Sequence, residues 1–205
     1  QEDLASFRVL FAVNVATYLV FLAALPGMPS GRVERDEIAT APGFREVLRD
    51  TFFVRLLGTD VAVALGFGFL FAFMPVYASQ LGIDKAVIGV LFTFGAASVV
   101  LTQIPTLRWV RGGDRMRWLA VMNLWFAAAF VLMVLTPHLA LGVAVVLLAI
   151  GQVLGGFGEA ILGAVRQPLT ADLAPPELMG RYYGLSTMVF QACMGFANTI
   201  GGLVM

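Results

Sequence analysis

Histidine and cysteine are nearly missing: the 205 residues hold one of each, His138 and Cys193. A lone cysteine excludes an internal disulfide framework, and one histidine with no cysteine beside it excludes the usual zinc ligand sets. Charge is scarce as well, at 13% of residues, about half the roughly 25% of a soluble domain. The formal net charge is zero. The basic residues stand in short, separated groups, which argues against a nucleic-acid-binding face. No G-x-S-x-G elbow, H-E-x-x-H pair or phosphate-binding P-loop occurs. The sequence therefore points away from an enzyme, and no cofactor or metal is expected.

Apolar sequence fills the space. Hydrophobic residues make up 60% of the chain, and mean hydropathy is +0.89. Residues 61–78, 86–107, 118–135 and 182–205 carry no charge, 9–25 is slightly shorter, and 139–165 is interrupted only by Glu159. A spanning helix needs about 20 apolar residues. The expected fold is an all-α membrane protein with six transmembrane helices, at about 7–25, 53–78, 86–107, 118–135, 139–165 and 182–203. The fifth is allowed to run on to Leu173, where Pro175 and Pro176 stop it. Pro176 suits the first turn of the sixth, because proline lacks the N–H that would be orphaned there.

Basic residues alternate between the gaps. Arg32, Arg35, Arg45, Arg49 and Arg55 precede the second stretch, Arg108, Arg111, Arg115 and Arg117 follow the third, and Arg166 and Arg181 follow the fifth. The opposite side holds only Arg8 and Lys85. Basic residues near spans stay cytoplasmic, so the first helix is expected to run from outside to inside. In the first cytoplasmic loop, Phe44, Val47, Leu48 and Phe52 recur at helical spacing, with Arg45, Glu46, Arg49 and Asp50 opposite. That pattern predicts a short amphipathic helix at the membrane surface.

Few polar residues lie inside the apolar stretches. Glu159 is the most informative, because a charge at the bilayer centre costs about 2.5–3.5 kcal/mol and must face a bundle interior or a wet cavity. Its functional reading is a proton carrier or a partner for a cationic substrate. Its structural reading is a packing contact, with Arg166 one or two turns away. Asp60 is expected in a packed ion pair or helix-end contact, with a gating contact to the 108–117 turn as the alternative. Asn14, Gln103, Asn123, Gln152, Gln191 and Asn198 each need a partner, and hydrogen bonds between helices would serve. Asn14 and Gln191, deep in their spans, are the amides favoured for a substrate path.

Phe67 and Phe71 form one aromatic stripe at i, i+4 spacing, and Phe69, Phe73 and Tyr77 form another. One stripe could wall a ligand site, and the other would face lipid or packing, with Tyr77 as an interfacial anchor. Gly151, Gly155, Gly156, Gly158 and Gly163 give the fifth helix a small-residue surface, for packing or for a seam between moving helices.

Several stretches resemble the major facilitator superfamily of secondary transporters, in its multidrug-efflux-like members. Ala171–Leu178 with Gly180, Arg181 and Tyr182 is similar to the family's connection between helices ten and eleven. Gly158–Glu159 resembles a Gly-Glu pair of helix ten, and residues 43–57 resemble the segment leading into helix seven. Val110–Arg117 resembles a repeated G-x-x-x-D-R-x-G-R turn, although only Asp114 and Arg115 match and the motif glycines fall on other residues.

The resemblance implies family helices six to eleven. Residues 1–25 would be the last helix of the N-terminal half and 26–52 a cytoplasmic central loop with the amphipathic helix. Residues 53–205 would be a C-terminal half cut before its last helix. A longer parent protein with the remaining N-terminal half is expected. The implied function is proton-coupled efflux of small hydrophobic or cationic molecules by alternating access, in the inner membrane of a bacterium. Glu159, Asp114 and Arg115 would serve coupling or gating, and Asn14, Phe67 and Gln191 would line the substrate cavity. Uptake of a sugar or amino acid by the same fold, an intramembrane enzyme and a non-transporting membrane scaffold are the alternatives.

Overall fold

A computed structural model describes residues 2–24 and 43–204. They form helices, with no strand among the described residues. The first helix, α1 (Glu2–Ala24), belongs to a compact unit, Gln1–Ala41, separate from the unit Pro42–Met205. Most of the 26–52 loop, including Arg32 and Arg35, lies outside the described residues.

The second unit opens with α2 (Phe44–Val47), one helical turn. The short amphipathic helix expected over 43–52 is present as this one turn and stops before Phe52. Only Val47 is buried; Phe44, Leu48 and Phe52 are exposed. The reason is local: the Asp50 carboxylate accepts hydrogen bonds from Phe52 N and Phe53 N, at 3.0 and 3.1 Å, and starts a new helix.

That helix, α3 (Thr51–Gln80), is followed by α4 (Lys85–Val110), α5 (Arg115–Leu135), α6 (Leu141–Leu173) and α7 (Met179–Val204). Asp84 and Asp114 cap α4 and α5 by the same device, accepting from Ala86 N and Met116 N. Short 3₁₀ turns at Thr136–His138 and Pro176–Leu178 hold the connections on either side of α6. The run-on of the fifth stretch to Leu173 is real, and Pro176 occupies the 3₁₀ turn before α7.

Among the described residues, four helical segments are long and apolar enough to cross a membrane: Thr51–Gln80, Lys85–Val110, Arg115–His138 and Leu141–Leu173. The other two expected spans correspond to α1 and α7, helices of 23 and 26 residues that fall outside those four.

Packing is uneven. Helix α6 packs along its length against both α4 and α5, while α3 packs along α7. Glycines make the first set possible. A Cβ on Gly156 would collide with the Gly95 carbonyl oxygen and come within 2.9 Å of Ser98 Cβ, so α4 and α6 approach backbone to backbone. Dispersion contacts at such short range substitute for the hydrophobic drive that lipid does not supply.

The core divides into two clusters. One gathers Phe53, Leu57, Val110, Met122, Ile161, Val165 and Tyr182, and the other Met74, Ala78, Ile88, Leu91 and Leu148. Asp60 and Arg166 fall within the stretches of α3 and α6 that the first cluster occupies, and the cavity-lining Phe67 belongs to that cluster.

Candidate functional site: a divided cavity around Glu159

Two adjoining cavities open along α3, α4 and α6. The first, about 450 Å³, is lined by Phe67, Phe71, Phe92, Gly95, Phe126, Gln152, Gly156 and Glu159, among others. The second, about 420 Å³, is lined by Phe67, Phe71, Gln103, Glu159, Arg166, Gln167 and Phe190, among others. Phe67, Phe71, Val99 and Glu159 belong to both. Glu159 therefore sits where the two meet. Its side chain is half-buried, and it makes no hydrogen bond or ion pair among the described residues.

The aromatic wall comes from helical spacing. Phe67 and Phe71, one turn apart on α3, stack with ring centroids 5.9 Å apart. Phe126 of α5 meets Phe67 edge-on at 5.1 Å, and Phe92 of α4 stacks near Phe71 at 6.2 Å. The second stripe turns elsewhere. Phe69, Phe73 and Tyr77 line a separate cavity with Phe130 and Met133 of α5. Tyr77 donates its hydroxyl to the Met133 carbonyl at 2.9 Å, so it is tied into the bundle as well as placed near its edge.

Arg166 is not Glu159's partner. It reaches across to Asp60 of α3, its Nε donating to both carboxylate oxygens at 3.1 Å. Its Nη2 donates to the carbonyl and the hydroxyl of Ser186 on α7, at 3.0 and 2.9 Å, and the Ser186 hydroxyl donates to Asp60 at 2.9 Å. The guanidinium also lies 4.4 Å from the Phe190 ring centroid. Asp60 and Ser186 are each 4% exposed. The buried charges are thus compensated on every side, as a low-dielectric setting requires. Asp60 is in the packed ion pair expected for it, and the 108–117 turn is not its partner.

Gln152 stands apart from the other amides. It is 5% exposed, and its Nε2 has no hydrogen-bond partner among the described residues. Asn123, by contrast, donates to the Leu119 carbonyl of its own helix at 2.8 Å. Gln191 is exposed on α7 and lines neither cavity; its neighbour Phe190 and, one turn on, Met194 line the second. Asn14 lies on α1, where its carbonyl accepts from the Thr17 hydroxyl at 2.7 Å. Phe67 lines both cavities.

A second polar centre lies at the end of the bundle where α4 turns into α5. Asp114 caps α5 and stands 3.4 Å from Arg117. Arg115 forms an ion pair with Asp172 in the last turn of α6. Asp172 was visible in sequence only as part of a family-like stretch. Its pairing with Arg115 spans 57 residues and depends on α5 and α6 lying side by side. Nearby, Asp50 accepts from the Tyr182 hydroxyl at 3.0 Å and joins the start of α3 to the start of α7.

Among the described residues, no group of three or more His, Cys, Asp or Glu side chains is placed to hold a metal ion. A family model described as Major Facilitator Superfamily matches residues 3–197. Comparisons with curated proteins and with solved structures each returned no match.

Proposed function

The chain belongs to the Major Facilitator Superfamily, a family of secondary transporters embedded in the membrane, and on that premise we propose that it exports small hydrophobic or cationic molecules in exchange for protons. The observation that carries this reading is Glu159, a carboxyl with no ion-pair partner among the described residues, on a helix that crosses the bundle and open to two cavities with an aromatic wall. An ionised acid inside a span is costly, and such acids mark ion and proton paths. In its protonated form Glu159 leaves the cavity neutral. In its ionised form it attracts a cation, which the faces of Phe67 and Phe71 also favour. Proton and substrate then compete for one carboxyl, and that competition is the coupling step of an antiporter.

Alternating access needs a second helical bundle facing this cavity and a cytoplasmic latch. We assign the first role to an N-terminal half and the second to Asp114, Arg115 and Asp172. The six-span topology, the inner membrane and a bacterial source belong to the same reading.

Transport in proteoliposomes tests it. With ethidium as the probe and an imposed pH gradient, the full-length protein should drive ethidium accumulation. Glu159→Gln should abolish pH-driven accumulation and retain ethidium exchange at equal pH on both sides. Unchanged pH-driven flux in that variant would remove Glu159 from coupling.

A further inference from the structure

We infer that Gln152 and Glu159 are the two polar ends of a single ligand site, and that the site takes an amphiphilic amine carrying a hydrogen-bond acceptor. The inference rests on the transport reading for the site's purpose and goes beyond it in naming the chemistry of the substrate.

Gln152 is the first observation. A buried amide donor without a partner is unusual, because an unmet group costs about 1–3 kcal/mol. Gln152 Nε2 has none, and the residue lines the first cavity. The neighbouring polar groups are already spent. Ser98 donates to the Val153 carbonyl at 2.8 Å, and the facing residue of α4 is Gly95, which has no side chain to offer. The nitrogen itself has almost no exposed surface in this conformation, so a ligand in the cavity meets the donor through a rotation of the amide.

Glu159 is the second observation, and it follows from register. It lies seven residues further along α6, hence two turns on and on nearly the same face, about 10.5 Å along the axis. Gln152 supplies a donor, and an ionised Glu159 supplies only acceptors. A ligand spanning both must accept at one end and donate, or carry positive charge, at the other. Two hydrogen bonds of about 2.9 Å leave about 5 Å between the ligand's acceptor atom and its cationic nitrogen. Between the two ends the wall is Phe67, Phe71, Phe92 and Phe126, which suits an aromatic or aliphatic body. Arg166 does not reverse the sign of the site, because Asp60 already neutralises it.

A matched probe pair tests this. 4-(Diethylamino)-1-phenylbutan-1-one has the acceptor, the cation and about the right spacing. 4-Phenylbutyl-diethylamine lacks only the carbonyl. Affinities are measured calorimetrically on the full-length protein in lipid nanodiscs. The wild type should bind the ketone about tenfold more tightly, the size of one well-made hydrogen bond. Gln152→Leu and Gln152→Met should each bring the ketone down to the affinity of the deoxy compound. Glu159→Gln should weaken both probes and keep their ratio. Two apolar variants are used so that a folding defect in one does not decide the matter.

A wild-type ratio near one means that the amide holds only water, and overturns the inference. So does a tenfold ratio that survives in both Gln152 variants. These outcomes separate from the transport test. Loss of the ratio without any proton-linked flux keeps the site and retires the antiporter; flux with an unaltered ratio keeps the antiporter and retires the site.

Discussion

Asp60 and Arg166 show how one residue pair decides the character of its surroundings. Each alone would be an uncompensated charge among apolar side chains. Together, with Ser186 and the Phe190 ring, they form a closed polar unit joining α3, α6 and α7. Breaking such a pair costs more than replacing it whole, because the survivor is left charged and unpaired. Asp60→Ala should therefore destabilise the protein by about 3–5 kcal/mol, and Asp60→Leu with Arg166→Met should cost clearly less. Thermal unfolding in lipid nanodiscs measures both. Equal losses from the single and double variants would mean that packing, not charge, sets the effect. The same pair removes Arg166 as a partner for Glu159.

At the level of elements, the α4–α5 turn and the end of α6 act as one unit. The turn is short because Gly112 adopts φ +75°, which a side chain would resist, and because Asp114 caps the next helix at once. This sets Arg115 beside Asp172. Both side chains are partly exposed, at 30% and 59%, so the pair adds little to stability in water. Its value lies in where it joins two helices. Under the latch reading, Arg115→Asp should reduce ethidium transport at least about tenfold, a coupling on the scale of 1–3 kcal/mol. Arg115→Asp with Asp172→Arg should restore most of it while unfolding temperature stays near the wild type. Failure of the charge swap to rescue transport would remove the ion pair from the gate.

For the molecule as a whole, orientation is the quantity most open to direct test. The arginine pattern assigns the α4–α5 turn to the cytoplasm and the α5–α6 turn to the outside. The two turns cap opposite ends of α5, a helix apolar enough to span. A cysteine placed at Arg111 should therefore be shielded from an impermeant maleimide in sealed cells, and one at His138 should react. Replacing Cys193 first removes the native thiol. Labelling of both from the same side would overturn the topology. The helices themselves form two sets, α6 with α4 and α5, and α3 with α7. The aromatic cavity spans them, with Phe67 from one set and Gln152 and Glu159 from the other.

Element positions were largely legible in the chain, because a spanning helix announces itself through length and hydropathy, which are local properties. The stops at Pro175 and Pro176 and the family-like stretches are local too. So was the oddity of Glu159, a lone charge in an apolar run. Partner choice was not legible. Arg166 could be expected near Glu159 on its own helix, but the structure gives it to Asp60, 106 residues away. Gln152 looked like any other amide until its neighbours were known, and depth in the span favoured Gln191 instead. The physical reason is the same in each case. Helices that are apolar all round carry no stripe to show which way each is turned. Rotation about the axis is set by glycine contacts such as Gly156 against Gly95, and those exist only once the helices are packed. The chain by itself determined that there would be membrane helices with one unexplained acid; the tertiary structure decided which charges were neutralised and which polar groups were left facing the cavity.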